Sequence, residues 1–472
     1  MKKYINERLA KGNGQCAMGD EQWATGKVQH RKFTPCRFSR QAICQLPIAR
    51  RSDLPIANCR RWRLAYCLLL LSIISFTANS QTKKIIDVNE AINIALQNNG
   101  NIKAKDFEVK SAQSLTKSAG ELPKFDLSAQ LGQYNSSEFD QSYQASQTIP
   151  FPTLFGAKKQ LLNATVKSKQ LQGEMSALDL KTEVRTHYYQ IQYLQNNQKQ
   201  LLNLDSLYNS FTKVAELRYQ VGDIKKVEIS TAEAKRGEIN LLLKQNEVYL
   251  QNAYQDLQAL MNTKEQFEIS SEPEFKPLQI SALLDSDAVA NHPAIRMLYQ
   301  DVLIAEQNKK VERAQALPDF TLGYVNQSLI GFHTINGQER YLNSGDRFSS
   351  VNIGISIPLF SATKFKTRAF DYQRQAAEAH AKQQQLLLEK QLQNALQQYQ
   401  QNLKGFSYYQ QQALPNAEKI VSAAQLGYRT GDISYVEYLY ALQTATDIKL
   451  NYLQSIQQVN QSVINIYSLI NK

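Results

Sequence analysis

Residues 217–229 read LRYQVGDIKKVEI and residues 426–438 read LGYRTGDISYVEY, so seven of thirteen positions match at a constant offset of 209. Each copy interrupts a long stretch that carries almost no other breaker. Between Gly156 and Tyr219 there is no Pro, and Gly173 is the sole further Gly. That run is rich in Leu, Gln, Lys, Glu and Ala, and as a helix it would reach ~95 Å. Its counterpart runs from about Ala362 to Tyr428, with Pro415 as an expected kink. Helices this long cannot bury an apolar stripe alone, so each Gly-Asp turn is expected to join two antiparallel helices into a hairpin. Gly222 and Gly431 supply the positive φ that ends the first arm. The expected coiled-coil seams are Leu204, Leu207, Phe211 and Val214 before the first tip, and Val436, Leu439 and Leu442 after the second, continued by Leu453, Ile456, Val459 and Val463.

The duplication reaches beyond the tips. NIKAKDFEVKSAQ…ELPKFDLSAQLG from Asn101 is answered by AIRMLYQDVLIAE…ALPDFTLGYVN from Ala294. Such self-similarity fixes the architecture: helix, Leu-Pro, strand, loop, strand, Ile-Pro, long helix, Gly-Asp turn, long helix, built twice. The first repeat is placed at 81–280 with strands at about 124–149, the second at 281–472 with strands at about 319–358. Period-two alternation (Phe125, Leu127, Ala129, Leu131; Val351, Ile353, Ile355, Ile357) suits a soluble hairpin or an outer-membrane barrel strand equally well. If the strands enter lipid, four per chain leave open edges, which a bilayer does not tolerate, and a closed homo-oligomer follows.

A formal net charge of +12 invites a nucleic-acid partner, and its distribution withdraws the invitation. Residues 1–63 hold 14 Lys/Arg and 4 Asp/Glu, leaving 40 and 38 for the remainder. All five cysteines fall at or before Cys67, so later residues offer neither a disulfide nor a Cys-ligated metal. Arg60, Arg61 and Arg63 precede the apolar run Leu64–Phe76, and Ala78 and Ser80 stand before Gln81. This pattern predicts a cleaved signal peptide at 60–80; the run is short for a transmembrane anchor. Residues 1–59 are expected to be a pre-signal or non-native extension.

The duplicated chain, with Leu-Pro before a strand, Ile-Pro after one, VNEAINIALQNNGNI near its start and a Y-x-x-G-D-I-x-x-V-E tip in each repeat, resembles the TolC-type outer-membrane efflux proteins. The details look closer to the heavy-metal efflux branch. The resemblance implies a mainly α fold with a small β part: a homotrimer forming a 12-stranded barrel in outer-membrane lipid on a periplasmic helical tunnel. It also implies a periplasmic adaptor and an inner-membrane RND-type pump as partners, no enzymatic activity and no cofactor. Loops at 135–141 and 331–347 would face outside the cell. The alternative is a periplasmic coiled-coil adaptor or structural protein; an adaptor carries one hairpin where this chain has two.

The candidate residues therefore concern gating and docking. Glu228 and Glu437 match across the repeats; the resemblance makes them an entrance carboxylate ring, with Tyr440 at the position of a second acid, and a solvated helix surface is the equal alternative. Asp223 and Asp432 follow the tip Gly and are expected to cap the next helix. Arg218, Arg429, Gly222 and Gly431 complete the tip surface offered to an adaptor. His292, ahead of Pro293, reads as a helix-start residue, His333 lies in an outer loop, and no His, Cys or carboxylate spacing suggests a metal site.

Overall fold

The computed structural model describes residues 84–270, 275–280, 289–359 and 362–471. The expected signal segment, the extension before it and all five cysteines lie outside the described residues. The first repeat begins with β1 (Lys84–Ile86), α1 (Val88–Asn98) and α2 (Gly100–Leu115). It continues through β2 (Asp126–Gly132), β3 (Asp140–Ile149), α3 (Thr153–Gln220) and α4 (Lys226–Met261) to β4 (Phe267–Ile269). The second opens with α5 (Pro293–Gln315), β5 (Asp319–Ser328), β6 (Gly331–Ile335), β7 (Gln338–Leu342) and β8 (Arg347–Ser356). It closes with α6 (Thr363–Tyr408), α7 (Leu414–Thr430) and α8 (Tyr435–Leu469).

α3 is the spine. Its 68 residues make one unbroken helix of ~100 Å, because nothing between Pro152 and Val221 removes a backbone donor. It packs against α2, α4, α5 and α8. Toward the tip its buried stripe is Leu201, Leu204, Tyr208, Phe211 and Ala215, stepping by three and four. The expected stripe was half displaced: Leu207 is half-buried and Val214 is 45% exposed. The true seam uses a Tyr and an Ala, residue types that an apolar count underweights. After the second tip the same shift occurs. Tyr435 and Tyr438 are buried and Val436 is 70% exposed, whereas Leu442, Ile456, Val459 and Val463 are buried as expected.

The matching arm of the second repeat is helical but not uniformly α. A π turn at Tyr409–Ala413 separates α6 from α7, and Pro415 follows at the start of α7. The π turn lies just ahead of Pro415, whose missing backbone donor and ring it accommodates without ending the helical arm.

Above the helices lies a four-stranded antiparallel sheet in the order β2-β3-β5-β8. Residues paired across such a sheet share a face. The register joins Leu127, Ala145, Tyr324 and Val351 in one row, and Ile149, Phe320 and Ile355 in another. The opposite face carries Ser128, Gln144, Val325 and Ser350, then Ser146, Gly323 and Asn352. One face is thus apolar and the other mostly polar. The apolar face is bare in the single chain, with Leu127 72% and Ile353 80% exposed. Among the described residues β2 and β8 are free edges.

The expected second outer loop holds its own hairpin, β6–β7, closed by Asn336 and Gly337 at φ 54° and 79°. Two successive positive φ values are what a two-residue type I′ turn needs, and Asn-Gly is its usual sequence. The hairpin base is tied to the first repeat by fully buried Asp140, whose carboxylate accepts from Ile330 N at 2.9 Å, Ser328 Oγ at 3.1 Å and Ser136 Oγ at 2.9 Å. Midway down the molecule, β1 pairs in parallel with β4. Ile86, Ala91, Val184, Ile191, Leu257 and Met261 form the adjoining core.

Candidate functional site at the paired hairpin tips

Both hairpins end in the same apolar cluster, which unites Leu204, Tyr208, Phe211 and Ala215 of α3 with Tyr428, Tyr435, Tyr438 and Leu442 of the second hairpin. Phe211 is the hub: its ring centroid lies 4.9 Å from Tyr438, 5.2 Å from Tyr435 and 5.7 Å from Tyr428. Tyr428 and Tyr438 stack at 4.9 Å and 9°. The Arg218 guanidinium lies 4.6 Å from the Tyr428 ring centroid, a cation–π contact from the first tip to the second hairpin. The Tyr435 hydroxyl donates to the Glu228 carbonyl oxygen, a direct bond between the two turns. Burial, reinforced by the nearby Glu228 charge, pushes the Tyr435 hydroxyl pKa up and keeps it a donor.

The turns themselves are near copies. Gly222 and Gly431 have φ of 79° and 82°, as expected. Asp223 N donates to Arg218 O at 2.9 Å and Asp432 N to Gly427 O at 2.8 Å, the same bond in each repeat. In the first tip, Gly222 N also donates to Tyr219 O, which completes a Schellman motif.

The Asp side chains do not cap the following helices. Asp223 accepts from Arg218 Nε at 2.6 Å, and Asp432 accepts from Thr430 Oγ1 at 2.6 Å. Both face back toward the preceding helix, and the true N-caps, Lys225 and Ser434, lie two positions further on. At Ser434 the capping box is complete. The Glu437 carboxylate accepts from Ser434 N at 2.7 Å and Ser434 Oγ at 2.8 Å, while Ser434 Oγ accepts from Glu437 N at 3.3 Å. The Ser434 amide and hydroxyl donors hold the Glu437 carboxyl below its ordinary range. The Ser-x-x-Glu spelling of this box is legible in the sequence and is the signal that a reading centred on the Asp residues missed.

The two matching glutamates consequently differ. Glu437 is exposed and engaged with its own helix start. Glu228 follows an N-cap, Lys225, that has no acceptor side chain, and its Oε2 is buried without a hydrogen-bond partner among the described residues. Tyr440 is 74% exposed, and Arg429 is exposed and makes no ion pair among the described residues. His292 is an N-cap as expected: Nδ1 accepts from Ala294 N at 3.2 Å, and Nε2 lies 3.1 Å from Ser468 O. Among the described residues no group of His, Cys, Asp and Glu could hold a metal ion, and no helix is long and apolar enough to cross a membrane.

Comparison with known proteins matches this architecture. Residues 284–472 match the profile of the outer membrane efflux protein family. The cobalt-zinc-cadmium resistance protein CzcC of Cupriavidus metallidurans is 21% identical over 397 residues, covering 81% of this chain and 89% of that protein. The solved structure of CusC superposes with a TM-score of 0.68 at 16% identity, covering 84% of this chain and 95% of the other. The outer membrane protein VceC of Vibrio cholerae gives 0.66 at 16% identity, covering 81% and 96%. The likeness of fold runs through both repeats, and the outer membrane efflux protein profile falls on residues 284–472, in the second.

Proposed function

We propose that the chain is one protomer of a passive outer-membrane exit duct that works with a periplasmic adaptor and an inner-membrane RND-type pump. One observation carries the reading: a two-faced sheet with both edges free surmounts two long helical hairpins whose tips meet. Apolar residues on one face suit lipid and polar residues on the other suit a water-filled lumen. Free edges in lipid require partners, so β8 of one copy pairs with β2 of the next, and three copies close a 12-stranded barrel. The long hairpins then form a periplasmic tunnel, and the loop at 135–141 and the β6–β7 hairpin face outside the cell. A duct needs no catalytic group.

Six tips would surround the tunnel entrance, with Glu228 and Glu437 of three chains and Tyr440 beside them. Glu228 is the stronger gating residue, since Glu437 is occupied as a capping-box acceptor. Carboxylates gathered at a constriction attract cations and raise one another's pKa. The exposed turn residues Gly222, Asp223, Arg429, Gly431 and Asp432, together with Arg218, offer the adaptor its docking surface. Cargo class is set by the pump, and the resistance-protein relative makes heavy-metal cations the first cargo to test. Planar-bilayer recordings test the entrance: Glu228→Ala should weaken cation block, and unchanged block would return Glu228 to a plain surface charge. Membrane fractionation tests the location, since freely soluble periplasmic material would end the duct reading.

A further inference from the structure

The apolar face of the sheet carries a hollow with a cation at its rim. Adjacent rows on that face are Leu127–Ala145–Tyr324 and Ala129–Tyr143–Asn326. Where the two alanines meet larger neighbours the surface dips, leaving about 360 Å³ between Leu127, Tyr143 and Tyr324. At the start of β8, the Arg347 guanidinium lies 5.2 Å from the Tyr143 ring centroid. Its Nε donates to Asn326 Oδ1 at 2.6 Å, Nη2 to Asn326 O at 3.2 Å and Nη1 to Gln141 Oε1 at 3.5 Å. Tyr143 and Asn326 therefore belong to both the hollow and the arginine's cradle.

Every one of these acceptors is neutral. Neighbouring Asp346 accepts from Asn343 N and faces Arg340, and Asp140 is buried among its own three donors. Among the described residues Arg347 makes no ion pair, so a permanently charged fork with donors to spare is held in place without a counter-charge. Phosphate is the anion such a fork fits best. The residues lining an open hollow forfeit dispersion contacts on one side, and an acyl chain can restore them. The aromatic Tyr143 between the two matches the usual place of tyrosine at the boundary of a bilayer.

We propose that Arg347 and the hollow beside it bind a lipid with a phosphate headgroup. The phosphate meets the guanidinium, and an acyl chain lies along Leu127, Ala129, Ala145 and Tyr324. This rests on the reading of the sheet as part of a lipid-embedded barrel. The test is native mass spectrometry of the full-length protein, purified in detergent and titrated with phosphatidic acid or with diacylglycerol of the same chains. Phosphatidic acid should bind the wild type, and Arg347→Gln should weaken it at least about tenfold. Arg347→Lys should fall between them, because it keeps the charge and loses the fork. Ala145→Phe, which fills the hollow and leaves Arg347 alone, should also weaken it, and diacylglycerol should bind poorly throughout. Equal phosphatidic acid binding by wild type and Arg347→Gln would overturn the site. So would an Arg347→Gln protein whose chains dissociate with lipid binding unchanged, since Arg347 would then serve a chain–chain contact. A chain that purifies as a water-soluble monomer, seen by sizing before lipid is added, would sink the membrane reading as well.

Discussion

Replacing Phe211 with Ala should part the two tips while leaving the rest of the helical body folded. Phe211 is 4% exposed, and its three ring contacts all belong to the second hairpin. Truncating a buried Phe costs about 3–5 kcal/mol, through lost transfer energy and the cavity left behind. The lower figure applies here, because the cluster sits at the end of a bundle where the chain can partly collapse into the gap. About 3 kcal/mol corresponds to a roughly 150-fold shift in a local opening equilibrium. Hydrogen exchange reads this directly: amides over 435–446 should exchange roughly a hundredfold faster. Amides near Val184 and Ile191 belong to a separate core and should keep their protection. Phe211→Leu should recover most of the loss. A change below about threefold at 435–446, or an equal change around Val184, would refute the reasoning that one aromatic cluster latches the tips.

Ser434→Ala removes half of the capping box and should cost about 1 kcal/mol, seen as several-fold faster exchange in the first turn of α8. Glu437 has a depressed pKa when folded, so its contribution is complete above the ordinary glutamate pKa and is lost as pH falls through the folded value; α8 opening should rise in acid and not in Glu437→Gln. Burial lowers the His292 pKa below 6.5, so the folded state holds fewer protons and stability falls as pH drops from 7.5 to 5.5. His292→Asn, which keeps an N-cap acceptor, should flatten that slope in thermal melts. Deleting Gln411 from the π turn should let the arm heal to α-helix with α7 left in place, so that Tyr428 stays in the cluster and amides over 435–446 exchange as in the wild type.

Much of the architecture was legible because it is written at the scale of whole segments. The absence of Pro over more than sixty residues announced α3, and Gly222 and Gly431 marked its end and that of its counterpart. Finer features depended on neighbours the sequence does not display. Val214 and Val436 looked like seam residues, but the seam went to Tyr208, Ala215, Tyr435 and Tyr438, because aromatic rings from two hairpins fill one space. The Asp residues looked like caps because they follow the glycines, and the backbone spends two more residues before each helix begins. Pro415 can be read in the sequence as a break in the second arm, but the π turn that accommodates it cannot. The inequality of Glu228 and Glu437 likewise has one readable cause, Ser434 against Lys225, and one hidden cause, the Tyr435 hydroxyl on the Glu228 carbonyl.

A barrel closed by three chains requires that the free edge β8 of one copy pair with β2 of the next. From residue 68 onward the sequence has no thiol, so introduced cysteines there have no native competitor. Ser128→Cys in β2 can be paired in turn with Ser350→Cys, Asn352→Cys or Gly354→Cys in β8, all on the polar face. Within one chain these edges are three strand spacings apart, about 14 Å, beyond the ~7 Å that a disulfide can bridge. On oxidation in membranes, a barrel of three chains gives cross-linked species of two and three chains in at least one register, and nothing larger. Monomer alone in every register, or a ladder extending past three chains, would contradict it.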